Sequence, residues 1–212
     1  MTAAQVVVLA KQPLPGRVKT RLCPPLTPEQ AADVAAAALE DTLTAVRRCC
    51  ALSRVLCVDG TLSAPGFTVL PQRAGDLDAR IAGAFDDAWA RWSLPTLLVG
   101  MDTPQLTADV LDDALARLLR PGTQAVLGLA LDGGWWGLGL RRPAGHLVLG
   151  VPTSRADTGR LQRERLLDAD LGLDDLAVLR DVDTVGDLLP VAAEAPGSRF
   201  ATTVAALVAV QA

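Results

Sequence analysis

Apolar positions along the chain fall into short unbroken runs, separated by longer stretches in which they recur every third or fourth residue. Gln5 to Leu9 is a β-branched run that passes at once into a Pro/Gly-rich segment, the pattern of a buried parallel strand delivering its chain into a loop. Comparable runs predict strands over Arg54 to Val58, Phe67 to Leu70, Thr96 to Gly100, Ala125 to Leu129, Trp135 to Leu140 and Ala177 to Arg180. Helical spacing predicts helices over Thr27 to Cys50, Asp76 to Trp92, Thr107 to Leu119 and Ala156 to Leu167, and a terminal helix from Arg199. Thr27-Pro28-Glu29-Gln30 supplies the first helix with an N-cap, a proline at its first position and a capping-box partner. This alternation predicts an α/β domain of three layers, α/β/α, with a mostly parallel sheet and right-handed crossovers. Ligands of open α/β sheets bind beyond the carboxyl ends of the strands, so function is expected in the loops after Leu9, Gly100 and Leu129.

Composition narrows this picture. A chain of 212 residues, half of them hydrophobic, fits one self-supporting domain over 1–212, and no repeat or linker-like tract divides it. A net charge of -4 excludes the broad basic face that nucleic-acid backbones require, so no nucleic-acid partner is expected. Cys23, Cys49, Cys50 and Cys57 lack C-x-x-C spacing, and His146 is the single histidine; zinc patterns and Ser-His or Cys-His nucleophiles are thereby removed. Reduced thiols fit a cytoplasmic location. The first apolar run is too short for a signal peptide, and no stretch is long and charge-free enough to span a membrane. The apolar run Phe200 to Ala212 is explained by a docked terminal helix.

Against that acidic background, the loop after the first strand places Lys11, Arg17, Lys19 and Arg21 within eleven residues. Prolines, Pro15 among them, stiffen it; Gly16 permits close backbone approach; lysine and arginine supply charge and forked donors suited to phosphate oxygens. A solvated basic loop paired with nearby acids would have the same composition, but its position at a strand's carboxyl end favours phosphate binding. Asp102 lies just past the run Thr96 to Gly100, a metal or ribose position, though Asp-x-Pro also starts turns. Asp132-Gly133-Gly134-Trp135-Trp136 sets an acid and two permissive glycines beside aromatic planes that can stack on a sugar or base. Arg73, Asp76 and Arg80 form a third polar group, in which Asp76 could cap the next helix and pair with Arg80.

These segments, in order, resemble a bacterial GT-A-like family labelled selenodomain-associated transferase or arsenosugar-biosynthesis glycosyltransferase. The resemblance rests on Ala10-Lys11-x-Pro13-x-Pro15-Gly16-x-Val18-Lys19-Thr20-Arg21-Leu22, Gln72-Arg73-x-Gly75-Asp76-Leu77-x-x-Arg80, Gly100-x-Asp102-x-Pro104-x-Leu106, Asp132-Gly133-Gly134 and Asp181-Val182-Asp183-Thr184-x-x-Asp187-Leu188. The chain is more distantly similar to 2-phospho-L-lactate and molybdenum-cofactor guanylyltransferases. The resemblance implies a Rossmann-like nucleotide-diphospho-sugar transferase fold. It implies that Lys11, Pro15, Gly16, Arg17, Lys19, Arg21, Arg73, Asp76 and Arg80 contact the nucleotide or its phosphates. It also implies that Asp102, with Asp183 as second ligand and Asp181 and Asp187 as alternatives, holds Mg2+ or Mn2+. Asp102, Asp132 and Lys19 would then be catalytic, and Gly133, Gly134 and Trp135 would face the donor sugar or acceptor. The chain departs from the family pattern at Leu129, at Trp135-Trp136 and at Thr153-Ser154, all on the presumed acceptor side. The reading that follows is a metal-dependent glycosyltransferase with a nucleotide-sugar donor and a small-molecule acceptor. The alternatives are a nucleotidyltransferase acting on a nucleoside triphosphate, and a non-catalytic nucleotide-binding protein on the same scaffold.

Overall fold

The computed structural model describes Thr2 to Gln211. Seven strands form one sheet: β1 (Thr2–Lys11), β2 (Ala51–Asp59), β3 (Thr68–Pro71), β4 (Thr96–Val99), β5 (Ala125–Leu129), β6 (Trp135–Leu140) and β7 (Leu173–Asp175). They lie in the order β3-β2-β1-β4-β6-β5-β7. Pairings are parallel except that β6 runs antiparallel to both β4 and β5. Val6 to Val8 are completely buried because β1 is covered on both faces, which is why its sequence is continuously apolar rather than alternating.

The helices are α1 (Pro28–Arg48), α2 (Leu77–Trp92), α3 (Ala108–Leu118), α4 (Thr158–Asp168), α5 (Val185–Glu194) and α6 (Arg199–Gln211). One face of the sheet packs on α1 and α3 through Ala35, Leu39, Leu111 and Leu115. The other packs on α2 and α4 through Ile81, Phe85 and Leu166. A third cluster joins α1 to α5 and α6 through Val34, Ala38, Val191, Phe200 and Val204, so the expected terminal helix docks on α1. The capping box at Thr27 forms as read, with Gln30 N donating to Thr27 Oγ1 and Thr27 N to Gln30 Oε1.

One expectation is corrected and one element is added. The strand expected over Ala177 to Arg180 lies earlier, at Leu173–Asp175, and only Leu179 of that stretch makes a bridge, to Ala130. Residues 176–182 instead run beside the β5 end and the loop after β4, with Leu176 N bonding Leu127 O, Leu179 N bonding Leu129 O and Val182 N bonding Asp102 O. An apolar run says that a segment is extended, not which of its residues find a partner. Helix α5 was not among the expected elements; a capping box between Thr184 and Asp187 opens it, and Pro190 lies inside it.

Candidate active site

The carboxyl ends of β1 and β4 and the start of β6 open into a single cavity of about 790 Å³. Its walls come from five places expected to carry chemistry: the cationic turn, the segment at Asp76 and Arg80, the loop at Asp102, the Asp132 turn and the segment at Asp181 and Asp183. Lys11, Arg17, Lys19, Arg21, Asp76, Arg80, Asp102, Asp132, Gly134, Trp135 and Asp183 all line it. Pro15, Gly16, Arg73 and Gly133 do not.

The cationic turn is anchored by the buried Val18 and Leu22. Gly16 has φ +74 and Lys19 φ 49, so the chain turns sharply on either side of Arg17. Pro15 and Gly16 thus shape the loop from its exposed side. The four cations divide into two kinds. Lys19 Nζ lies 2.8 Å from Asp102 Oδ1 with its side chain only 7% exposed, and it also donates to Val182 O. Arg21 Nη1 lies 2.5 Å from Asp183 Oδ2. Lys11 and Arg17, both exposed, form no ion pair among the described residues, and they present unneutralised charge to the cavity.

The acids lie together because the loop after β4 and the late segment are stitched side by side. Val182 N bonds Asp102 O, Thr103 Oγ1 donates to Asp181 Oδ1 at 2.6 Å, and Gln105 Nε2 donates to Arg180 O. Burial pushes the Asp181 carboxyl up from 3.8 to about 6, the Thr103 hydroxyl opposing it; the Asp102 and Asp132 charges push it further, and Lys19 opposes them. Asp183 lines the cavity but is committed to Arg21. Asp187 serves α5: its Oδ2 accepts from Thr184 N, and Arg180 pairs with its Oδ1. Among the described residues no three His, Cys, Asp or Glu side chains are grouped to hold a metal by themselves. The chemistry of the donors nevertheless fits a hard divalent ion: Asp102 and Asp181 place carboxylate oxygens at a cavity that cations also line, and Mg2+ is commonly held by one or two carboxylates plus substrate phosphates.

In the Asp132 turn, Asp132 Oδ1 accepts from Gly134 N at 2.8 Å, which fixes the carboxylate beside the turn's own backbone. Gly133, at φ +90, lies so close to the loop before α4 that a Cβ there would stand 1.9 Å from Ala156 O, so this glycine serves packing rather than ligand approach. The two tryptophans take opposite faces of the sheet. Trp135 is half-buried at the cavity, whereas Trp136 is 2% exposed, covers Gly128 and donates to Ala177 O.

The third polar group separates. Arg80 is held not by Asp76 but by Asp59 at the end of β2, at 2.5 Å. Asp76 takes the N-cap position of α2 without a side-chain cap bond, which leaves its carboxylate at the cavity. Arg73 folds over Gly83 onto Asp87, 2.6 Å away, outside the cavity wall. Three further residues carry the site without having been singled out. Gln72 ties β1 to β2 through Ala10 O and Cys57 O, Thr103 bonds Asp181, and buried Gln162 bonds Leu147 O at the cavity's far wall. Gln72 opens one of the motifs and Thr103 stands beside Asp102; Gln162, in mid-helix, gave no signal.

Residues 31–155 match the family model DUF2064, described as an uncharacterized protein conserved in bacteria, and the chain belongs to that family. No curated protein matches it. Among solved structures it is similar to a provisionally assigned nucleotide-diphospho-sugar transferase from Desulfovibrio desulfuricans G20. Identity is 26% over 98% of this chain and 94% of that one, with a TM-score of 0.86. It is also similar to Rv0371c of Mycobacterium tuberculosis H37Rv in complex with manganese, at 20% identity over 90% of this chain and 98% of that one, TM-score 0.55. A third likeness is to CMP:2-keto-3-deoxy-manno-octonic acid synthetase complexed with CTP, at 11% identity over 89% and 96%, TM-score 0.57. The last two show the fold alone. The chain has the nucleotide-diphospho-sugar transferase fold.

Proposed function

We propose that this protein is a glycosyltransferase that binds the diphosphate of a nucleotide-sugar across the mouth of the cavity and delivers the sugar to a small-molecule acceptor. The observation that carries the reading is the convergence of the cationic turn and Asp102 on one cavity, at the carboxyl ends of adjacent strands. Lys11 and Arg17 take the phosphates, since their charge is unspent and phosphate oxygens accept charge-assisted bonds. Asp76 and the Asp59-braced Arg80 stand on the nucleoside side, beside β2 and α2. Trp135 and Gly134 line the acceptor side, where Asp132 orients the attacking hydroxyl.

Asp102, with Asp181 or Asp183, would hold Mg2+ or Mn2+, which supplies charge neutralisation on the departing diphosphate. The protein's own contribution is positioning and a prearranged field, which needs no covalent intermediate. The test is a thermal-shift panel of nucleoside triphosphates and nucleotide-sugars, with and without Mn2+. Stabilisation led by diphospho-sugars is expected. A preference for triphosphates would move the assignment to nucleotidyl transfer, and no stabilisation by any of them would remove both enzymes.

A further inference from the structure

The turn expected to hold phosphates is clamped onto the acids expected to hold a metal. Lys19 lies 2.8 Å from Asp102 Oδ1, and Arg21 lies 2.5 Å from Asp183 Oδ2. Two cations from one turn thus neutralise two carboxylates from two other segments, and all four residues line the same cavity. Lys19 is the tighter of the two: its side chain is 7% exposed, and Val182 O holds the same ammonium. A divalent ion approaching Asp102 therefore meets a fixed positive charge at contact distance, and a phosphate approaching Lys19 meets a carboxylate. Like charges at such separations repel by more than thermal energy even in water.

We propose that these ion pairs exclude metal and diphosphate when either arrives alone, and that the two bind together by exchanging partners. The ammonium of Lys19 and the guanidinium of Arg21 pass from carboxylate to phosphate, while Asp102 and Asp183 pass from Lys19 and Arg21 to the metal. Charge balances throughout, since two ion pairs are replaced by cation–phosphate and metal–carboxylate pairs. A lysine's flexible four-carbon stem lets Lys19 follow the phosphate without a backbone change. The consequence is a coupling free energy between metal and diphosphate that is the same seen from either ligand. The inference rests on the phosphate and metal reading of the site given above.

The test separates the partners so that each ligand can be measured alone. Mn2+ affinity, read by the electron paramagnetic resonance signal of free Mn2+ with no phosphate present, is expected to rise about tenfold in Lys19→Met. Pyrophosphate affinity, read by calorimetry in EDTA, is expected to rise by a similar factor in Asp102→Asn, because Lys19 is then released. Arg21→Met, at a side chain 64% exposed and so safe for folding, is expected to raise Mn2+ affinity in the same direction by less. Unchanged Mn2+ affinity in both Lys19→Met and Arg21→Met, or unchanged pyrophosphate affinity in Asp102→Asn, overturns the exchange. If the wild-type protein binds Mn2+-pyrophosphate while the variants do not shift, only the exchange is lost. If no form binds Mn2+-pyrophosphate at all, the proposed function falls with it.

Discussion

Replacing Asp181 by asparagine should make the metal-free protein more stable at neutral pH, because the fold holds this carboxylate at a cost. Its carboxyl titrates at about 6 in the fold, against an ordinary 3.8. Between those values the folded chain binds more protons than the unfolded one, so stability falls as pH rises through the window and stays reduced above it. A displacement of about two units at about 1.4 kcal/mol each is worth about 3 kcal/mol at most. Asparagine keeps an oxygen for the Thr103 hydroxyl but carries no charge for burial, Asp102 and Asp132 to oppose. Because the carboxylate is only partly buried, solvent screening reduces the gain to about 1–3 kcal/mol, or about 3–10 °C in Tm for a chain of this size. Urea or thermal unfolding in EDTA, in steps from pH 4 to pH 8, reads this directly. The variant should exceed wild type above pH 6 and converge with it near pH 4. Equal or lower stability at pH 7.5, or a difference that does not shrink on acidification, would refute the account of Asp181 as a carboxylate retained against its own burial.

Other expectations follow from the same contacts. Asp102→Asn should abolish the Mn2+-dependent part of nucleotide-sugar stabilisation in a thermal-shift assay while leaving the circular dichroism spectrum unchanged; full retention would remove Asp102 from the metal site. Lys11→Ala and Arg17→Ala should each weaken every phosphate ligand about three- to tenfold, whatever its base, with the loss shrinking at high salt; a loss confined to one base would mean that the turn reads the nucleoside. Arg73→Ala should leave ligand affinity unchanged and alter stability by less than about 1 kcal/mol, since its pairing with Asp87 is at the surface; a large affinity loss would put Arg73 back at the ligand. Gly133→Ala should destabilise by about 3 kcal/mol or more in urea unfolding, because its Cβ would overlap Ala156 O and its φ is positive.

Much of this site was readable from local chemistry. The cationic turn could be placed because the run Gln5 to Leu9 passes directly into it, and Asp102 because it follows the run Thr96 to Gly100. The glycines of the Asp132 turn were visible, but not their division of labour, since only the approach of Ala156 shows that Gly133 is needed for packing. The partner of Arg80 was hidden for a similar reason: four-residue spacing offered Asp76, while Asp59, at the end of β2, is the carboxylate that meets it. Arg73 belongs to a cation-bearing motif and yet turns to Asp87 on the outer side of α2.

By itself the sequence determined the order of strands and helices apart from β7 and α5, the α/β class, and the loops at which charge accumulates. These properties are local, set by apolar runs, caps and turn residues that act within a few positions of one another. Only the tertiary structure decided which charges meet. Lys19 and Asp102 are 83 residues apart, and Arg21 and Asp183 are 162 apart. Their ion pairs exist because β1 and β4 are adjacent in the sheet and because Val182 N is bonded to the Asp102 carbonyl. Whether a cation faces solvent, a phosphate or a carboxylate is a property of that long-range packing, and no spacing along the chain encodes it.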